Sequence, residues 1–323
     1  MPLESTRDHL DFIINQIEQW NKDDVVYPVA RKNLSLSATN YIRGLKIIQN
    51  LITKTIIKPA TERQTEIEEK GTPIDLETVI RKFYSRQVVG YYRIAERFND
   101  NFNNQKAPFL PFEIYYWIDS ILKDLDIDIP VVVEASNQFI NESFNDTIIE
   151  PLSAGLEMGG GSLIPGSLET VDVSDIFEGF KIEDGYIISY IRGEFRNIQL
   201  WPILIHEIFH IVDREKKLVQ NLLKTNTGLP ALSSEKSQNL KWITEIMMDI
   251  FSAKYFGPMY LLSLQTYFDR LPYVGQTLDH PEMALRLKAV QLYVNETAVP
   301  YTNIFDKCKS ACSKMTSSKI NDA

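Results

Sequence analysis

The stretch Pro202–Asp213, PILIHEIFHIVD, decides how the second half of this chain folds. Proline suits the first turn of a helix, and the residues that follow are apolar nearly all round, which predicts a helix buried in a core. Three polar side chains interrupt that apolar surface, His206, Glu207 and His210. Burying a carboxylate and two imidazoles without partners is costly, so the fold has to supply groups that satisfy them.

A divalent metal ion satisfies these groups because of their spacing. Residues four apart share one face of a helix, so His206 and His210 can bind the same ion. Glu207 then lies beside the ion, where a carboxylate can take a proton from the attacking water. The alternative is that both histidines are ordinary core residues whose ring nitrogens bond to the backbone.

A second apolar helix is predicted at residues 241–256, KWITEIMMDIFSAKYF, and it also buries acids. Glu245 and Asp249 lie four apart on one face of this helix. A catalytic zinc site takes three protein ligands and keeps its fourth position open, so Glu245 is predicted to complete the set. Asp249 is predicted to accept the second ring N–H of a ligand histidine, His206, and so to fix its orientation.

The motifs HEIFH and EIMMD resemble those of the gluzincins, the thermolysin-like branch of zinc peptidases, although residues 211–244 form a longer spacer than in thermolysin. The resemblance implies an α+β fold that is mostly helical, with a thermolysin-like domain containing a small antiparallel sheet. It also implies Zn²⁺ as cofactor and the hydrolysis of peptide bonds in a protein or peptide substrate. By the same resemblance, the strand YIISYI at 186–191 lies beside the active helix and binds the substrate backbone along a free edge.

The segment DHPEMALRLKAV at 279–290 is similar to the HP…R element of the HtpX and CAAX prenyl-protease branch of gluzincins. That similarity implies that His280 stabilises the oxyanion and that Arg286 supports the site by hydrogen bonds. The membrane helices of that branch have no counterpart in this sequence, which indicates a soluble relative. The alternative for His280 is a surface histidine at the start of a proline-initiated helix.

The remaining sequence predicts a helical N-terminal region over residues 1–110, from amphipathic spacing with a period of 3.6 residues. After residue 110 the residue pattern changes, and strands are predicted at 129–136 and 184–193. Both strands lie within a predicted zinc peptidase domain spanning 111–312. Residues 313–323 are predicted to form a flexible tail.

Composition and charge exclude several classes of function. The net charge is −9, and the excess of acidic residues lies after residue 110, which disfavours binding to nucleic acid.

The sequence has neither a secretory signal nor an apolar run long enough to span a membrane. Its two cysteines, Cys308 and Cys312, exclude a disulfide framework and favour a cytoplasmic protein. At that spacing they could also bind a metal or respond to oxidation.

The sequence leaves one alternative function open. The chain could be a catalytically silent or gated module that keeps the peptidase fold and binds a regulatory protein partner through its N-terminal helices. A binding module has no need of Glu207, which weighs against this interpretation. Whether the N-terminal helices inhibit the site, recruit a partner or only stabilise the chain is equally open.

Overall fold

The computed structural model describes residues 2–22, 28–106, 113–136, 140–160, 182–191, 194, 197–225, 238–270 and 280–295. In these ranges the chain is mostly helical with a small three-stranded sheet, which confirms the predicted α+β, mostly helical class. No helix within them is long and apolar enough to cross a bilayer. Cys308, Cys312 and the predicted tail at 313–323 lie outside the described residues.

The helices before the sheet are α1 (Leu3–Lys22), α2 (Pro28–Ile52), α3 (Lys58–Glu69), α4 (Leu76–Phe83), α5 (Ser85–Gln105) and α6 (Glu113–Asp124). A single π turn, Thr53–Ile57, joins α2 to α3. The strands are β1 (Val131–Ser136), β2 (Ile140–Ser143) and β3 (Tyr186–Ile191), with α7 (Phe144–Gly160) between the last two. The later helices are α8 (Trp201–Lys216), α9 (Leu218–Thr225), α10 (Gln238–Phe256), α11 (Pro258–Arg270) and α12 (Met283–Asn295).

The chain divides into two compact units. Unit 1 comprises Met1–Lys123, Asp128–Asn137 and Glu142–Ser189. Unit 2 comprises Asp124–Ile127, Gln138–Asn141 and Tyr190–Ala323, and it therefore contains helices α8 to α12. The assignment of residues 111–312 to a peptidase domain stays a prediction.

Unit 1 is built around the packing of α2, α5 and α7. One face of α2 is fully buried, and its members recur every three or four residues: Leu34, Ala38, Tyr41, Leu45 and Ile48. The helices approach closely at Gly44. A Cβ atom placed there would lie 2.8 Å from both the Phe98 and the Ile148 side chain. Glycine is therefore required at this crossing for steric reasons.

We expect Gly44→Ala to lower the free energy of unfolding by about 1–2 kcal/mol, because overpacking costs about 1–3 kcal/mol and the helix preference of alanine returns up to about 1 kcal/mol. Gly90→Ala in α5 is the matched control, since nothing lies within 4 Å of a Cβ added there. It should stabilise the protein by about 0.5–1 kcal/mol. Urea unfolding of both variants measures the difference, and two changes of the same sign would contradict this account of the crossing.

The sheet has the order β1-β3-β2 and contains both a parallel and an antiparallel pair of strands. The prediction of a purely antiparallel sheet is therefore wrong. The Tyr186 N–H donates to Pro130 O at 2.9 Å, which joins the starts of β1 and β3 and makes them parallel. The Phe144 N–H donates to Gly185 O at 3.1 Å, which joins the end of β2 to the start of β3 and makes that pair antiparallel. A parallel pair needs a long crossover, and the chain between β1 and β3 includes α7.

The position of β3 also corrects the expectation that YIISYI offers a free edge to a substrate. β3 is the central strand, with β1 on one side and β2 on the other. Its backbone groups face two neighbours, as its almost complete burial also indicates. The edges of the described sheet belong to β1 and β2.

Glu134, a residue of unit 1, places a carboxyl group in the sheet on strand β1. Ser189 Oγ donates to Glu134 Oε1 at 2.8 Å, while Oε2 is buried without a hydrogen bond to any described residue. Burial raises the pKa of Glu134 to about 7, with the charge of Glu142 adding to the rise and Ser189 and Arg97 opposing it. Sequence reasoning missed this group, because one acid in an apolar strand has no distinguishing pattern.

The raised pKa of Glu134 predicts a pH-dependent stability. Below about pH 4.5 the group is neutral in the folded and the unfolded chain, and its contribution is fully present. Between about pH 4.5 and pH 7 the unfolded chain releases this proton while the folded protein keeps it, so stability falls by about 2–3 kcal/mol between pH 5 and pH 8 and levels off once the folded group ionises near pH 7. Glu134→Gln should flatten that slope in urea unfolding, whereas Glu69→Gln, on an exposed part of α3, should not. An unchanged slope in Glu134→Gln would refute this origin.

Candidate metal centre

Helix α8 places the HEIFH motif in the core of unit 2. Trp201 and Pro202 begin the helix after a short 3₁₀ turn, and Lys217 ends it in the left-handed conformation, donating its N–H to Asp213 O. Its apolar residues are buried, as the sequence predicts. His206 and Glu207 are buried with them, with only 4% and 8% of their surfaces exposed.

The structure brings the three predicted ligands together. His206 Nε2 lies 3.0 Å from His210 Nε2 and 3.3 Å from Glu245 Oε2, and His210 Nε2 lies 3.1 Å from Glu245 Oε1. Within the described ranges this is the one group of histidine, cysteine and acidic side chains found to have metal-binding geometry. Helix α10, which packs on α8, supplies Glu245.

These distances suit a single small cation. Ligand atoms about 2.0–2.2 Å from a tetrahedral zinc ion are about 3.3–3.6 Å from one another. The three separations, in which each histidine nitrogen faces a different oxygen of Glu245, are slightly shorter than or equal to that edge length. Glu245 Oε2 is buried with no hydrogen bond to a described residue. Two imidazole nitrogens and a carboxylate are also a donor set that zinc accepts. The geometry therefore fits a divalent metal without being specific to zinc.

The charges of the site give a second test of fit. Three carboxylates are buried in this part of unit 2, those of Glu207, Glu245 and Asp249, and only Arg286 provides a fixed positive charge among the contacts described for them. When both imidazoles are neutral, the form in which they can bind a metal, two negative charges are left in excess. A divalent cation would balance them, and uncompensated charges are expensive to bury.

Asp249 is fully buried, and it is the shared acceptor of the hydrogen bonds around the predicted ligands. His206 Nδ1 lies 2.8 Å from Asp249 Oδ1, the contact predicted from the spacing of the acids. A proton on Nδ1 is donated to the carboxylate there, and in a metal-bound form Nε2 would direct its lone pair at the ion. The Tyr260 hydroxyl donates to the same oxygen at 2.6 Å.

Arg286 completes the hydrogen bonds of Asp249. Its Nε donates to Asp249 Oδ2 at 2.7 Å and its Nη2 to Oδ1 at 2.9 Å, a bidentate pair. Its Nη1 lies 3.4 Å from Glu245 Oε2. The guanidinium therefore contacts one predicted ligand, Glu245, and the carboxylate next to another, His206, while its supporting role in catalysis stays a prediction.

The pKa values of these groups follow from burial and pairing. Burial acts to raise the pKa of Asp249, but the charges of Arg286 and His206 outweigh it and lower the pKa below its usual range. Burial also acts to raise the pKa of Glu245, and the close approach of His206 and His210 to its carboxyl group reverses the shift. Asp249 and Glu245 are therefore carboxylates near neutral pH, the form in which they can accept hydrogen bonds or bind a cation.

His280 lies at the margin of the cluster. Its Nε2 is 3.8 Å from Glu245 Oε2, and 58% of its side chain is exposed. It precedes Pro281 and α12, the helix that carries Arg286. The structure therefore places it near a predicted ligand on the solvent side, while its role with the oxyanion stays a prediction.

Glu207 does not join the ligand cluster and is held elsewhere. The Asn141 Nδ2 amide on β2 donates to Glu207 Oε2 at 2.5 Å, and both residues belong to unit 2. Asn141 Oδ1 is buried without a hydrogen bond to a described residue. Burial raises the pKa of Tyr267 to about 12, and the charge of Glu207 adds to the rise. This phenol therefore stays protonated at neutral pH.

Sequence reasoning missed two residues of the site, Tyr260 and Asn141. Tyr260 lies on α11 and Asn141 on β2, and no spacing rule relates either of them to the HEIFH motif. A tyrosine in an apolar helix and an asparagine in a short strand are both common. Only the packing of their elements brings them to the site.

Comparisons with protein-family models, curated proteins and solved structures find no match for this chain. The resemblance to gluzincins therefore stays an expectation that rests on the sequence motifs.

We expect Tyr260→Phe to weaken metal binding about 10-fold, because loss of a hydrogen bond to the carboxylate that orients a ligand costs about 10–100-fold in affinity. The ring stays in place, so the fold should persist. Tyr255→Phe is the matched control, since its hydroxyl donates to Asp124 at 2.5 Å on an exposed surface. Competition with a chromogenic zinc chelator measures both affinities. Equal affinities in the two variants would show that Tyr260 does not support the ligands.

Proposed function

We propose that this chain is a zinc-dependent peptidase that hydrolyses peptide bonds of a protein or peptide substrate with Glu207 as general base. The observation that carries the proposal is the convergence of His206, His210 and Glu245 within 4.8 Å, with a buried carboxylate directly beside the first of them. The family membership, in the gluzincins and near their HtpX and CAAX branch, is part of the same proposal.

The number of ligands favours catalysis over a structural role. Structural zinc sites are closed by four protein ligands, whereas catalytic sites use three and keep a position for water or substrate. The described cluster contains three candidate ligands. A zinc ion held by them would polarise a carbonyl oxygen and lower the pKa of water toward about 7.

Glu207 supplies the proton transfers that peptide hydrolysis needs. Its carboxylate takes a proton from the attacking water as the new C–O bond forms, and it passes that proton to the leaving nitrogen as the C–N bond breaks. One proton moves through one side chain, and water is the only co-reactant. No protein nucleophile is required.

The contacts of the outer residues suggest how they assist. Asp249, held by Arg286 and Tyr260, orients His206 and keeps its Nε2 directed at the ligand cluster. Arg286 thus acts through Asp249 and not on the substrate. His280 is the residue we propose for stabilising the oxyanion, because it lies on the solvent side of Glu245, where a substrate could approach.

The test is Glu207→Gln in the full chain, loaded with zinc and incubated with a peptide library whose products are read by mass spectrometry. We expect zinc content to be unchanged, because Glu207 is not a ligand, and turnover to fall by about 10²–10⁴-fold. Glu215→Gln, on the exposed end of the same helix, is the control and should keep full activity.

Two results would count against the proposal. Undiminished turnover in Glu207→Gln would exclude the general-base role. A zinc-loaded wild-type chain that cleaves nothing would favour the alternative function, a silent module that binds a regulatory protein.

A further inference from the structure

We propose that Asn141 is a positioning residue that fixes the carboxylate of Glu207 for its proton transfers. The inference rests on the proposed function and adds a residue that neither the motif nor its resemblance supplies. It starts from one contact, the amide of Asn141 donating to Glu207 Oε2 at 2.5 Å.

A general base next to a metal needs a fixed orientation. Glu207 has three rotatable side-chain bonds, and it is surrounded on α8 by apolar residues that cannot hold a carboxylate by hydrogen bonds. The bond from Asn141 fixes the plane of the carboxylate through Oε2. Oε1 is then the oxygen that receives the proton.

The chemical type of the donor suits this task. A lysine or arginine at the same place would hold Glu207 through an ion pair and would strongly stabilise its charged form, which makes a weaker base. The amide N–H of Asn141 is neutral, so it orients the carboxylate at a smaller cost in basicity.

The location of Asn141 gives the bond a rigid origin. Asn141 lies on β2, an edge strand of the sheet, and not on a loop. Sites held by strands and helices keep catalytic groups within narrower limits than sites held by loops. A small displacement of a catalytic group can cost about 10²-fold in rate, so this restraint has a measurable consequence.

The first arm of the test measures kinetics on Asn141→Asp, which keeps the size of the side chain and removes the donor. We expect zinc content to stay the same, KM to change by less than about 2-fold and kcat to fall by about 10–100-fold. Asn197→Asp is the matched control, because the Asn197 amide also donates to a glutamate, Glu194, at 3.0 Å, and neither belongs to the proposed site. It should leave kcat unchanged.

The second arm measures Tm and needs no activity. Asn141→Asp places two carboxylates in contact and should lower Tm. The double variant N141D/E207Q reverses donor and acceptor, so it should regain most of the lost Tm. A side chain that only fills space would not produce such a rescue.

The outcomes separate this inference from the proposed function. The positioning role is overturned if the wild type is active and Asn141→Asp is equally active. It is also overturned if the loss of Tm in the double variant equals the sum of the losses in Asn141→Asp and Glu207→Gln. A wild type that is inactive with zinc bound overturns the proposed function and, with it, the catalytic purpose of the contact. In that case the Tm rescue still decides whether Asn141 holds Glu207.

Discussion

The burial of charge around Asp249 is the constraint on which unit 2 depends. This carboxylate is fully buried, and it accepts hydrogen bonds from His206, Tyr260 and Arg286. Such a group is stable in a core only if its acceptor capacity is filled, because an unpaired charge in a low-dielectric interior is strongly destabilising. The helices that surround it are therefore held to one arrangement by hydrogen-bond geometry as well as by apolar packing.

That arrangement draws on four helices. α8 contributes His206, α10 contributes Glu245 and Asp249, α11 contributes Tyr260 and α12 contributes Arg286. α8 packs on α10 and α11, and α12 packs on the latter two. With neutral imidazoles this core holds an excess of negative charge that a divalent cation would balance, so the stability of the core and the occupancy of the site should be linked.

The sheet shows where prediction from sequence stopped. The segments of β1 and β3 were recognisable from their apolar and β-branched residues, whereas β2, with its three polar residues Asn141, Glu142 and Ser143, had no such signal. Without β2, neither the mixed direction of the sheet nor the central place of β3 could be predicted. Strand order depends on pairing between residues far apart in sequence, which local periodicity does not encode.

The sequence by itself determined the local part of the site. His206 with His210, and Glu245 with Asp249, stand four residues apart, and the α-helix converts that spacing into a shared face whatever the rest of the fold does. The tertiary structure decided what meets those faces, namely Arg286 and Tyr260 on Asp249 and Asn141 on Glu207. These contacts join residues that lie 11, 37 and 66 positions apart in the sequence, and their geometry depends on the packing of whole helices and strands.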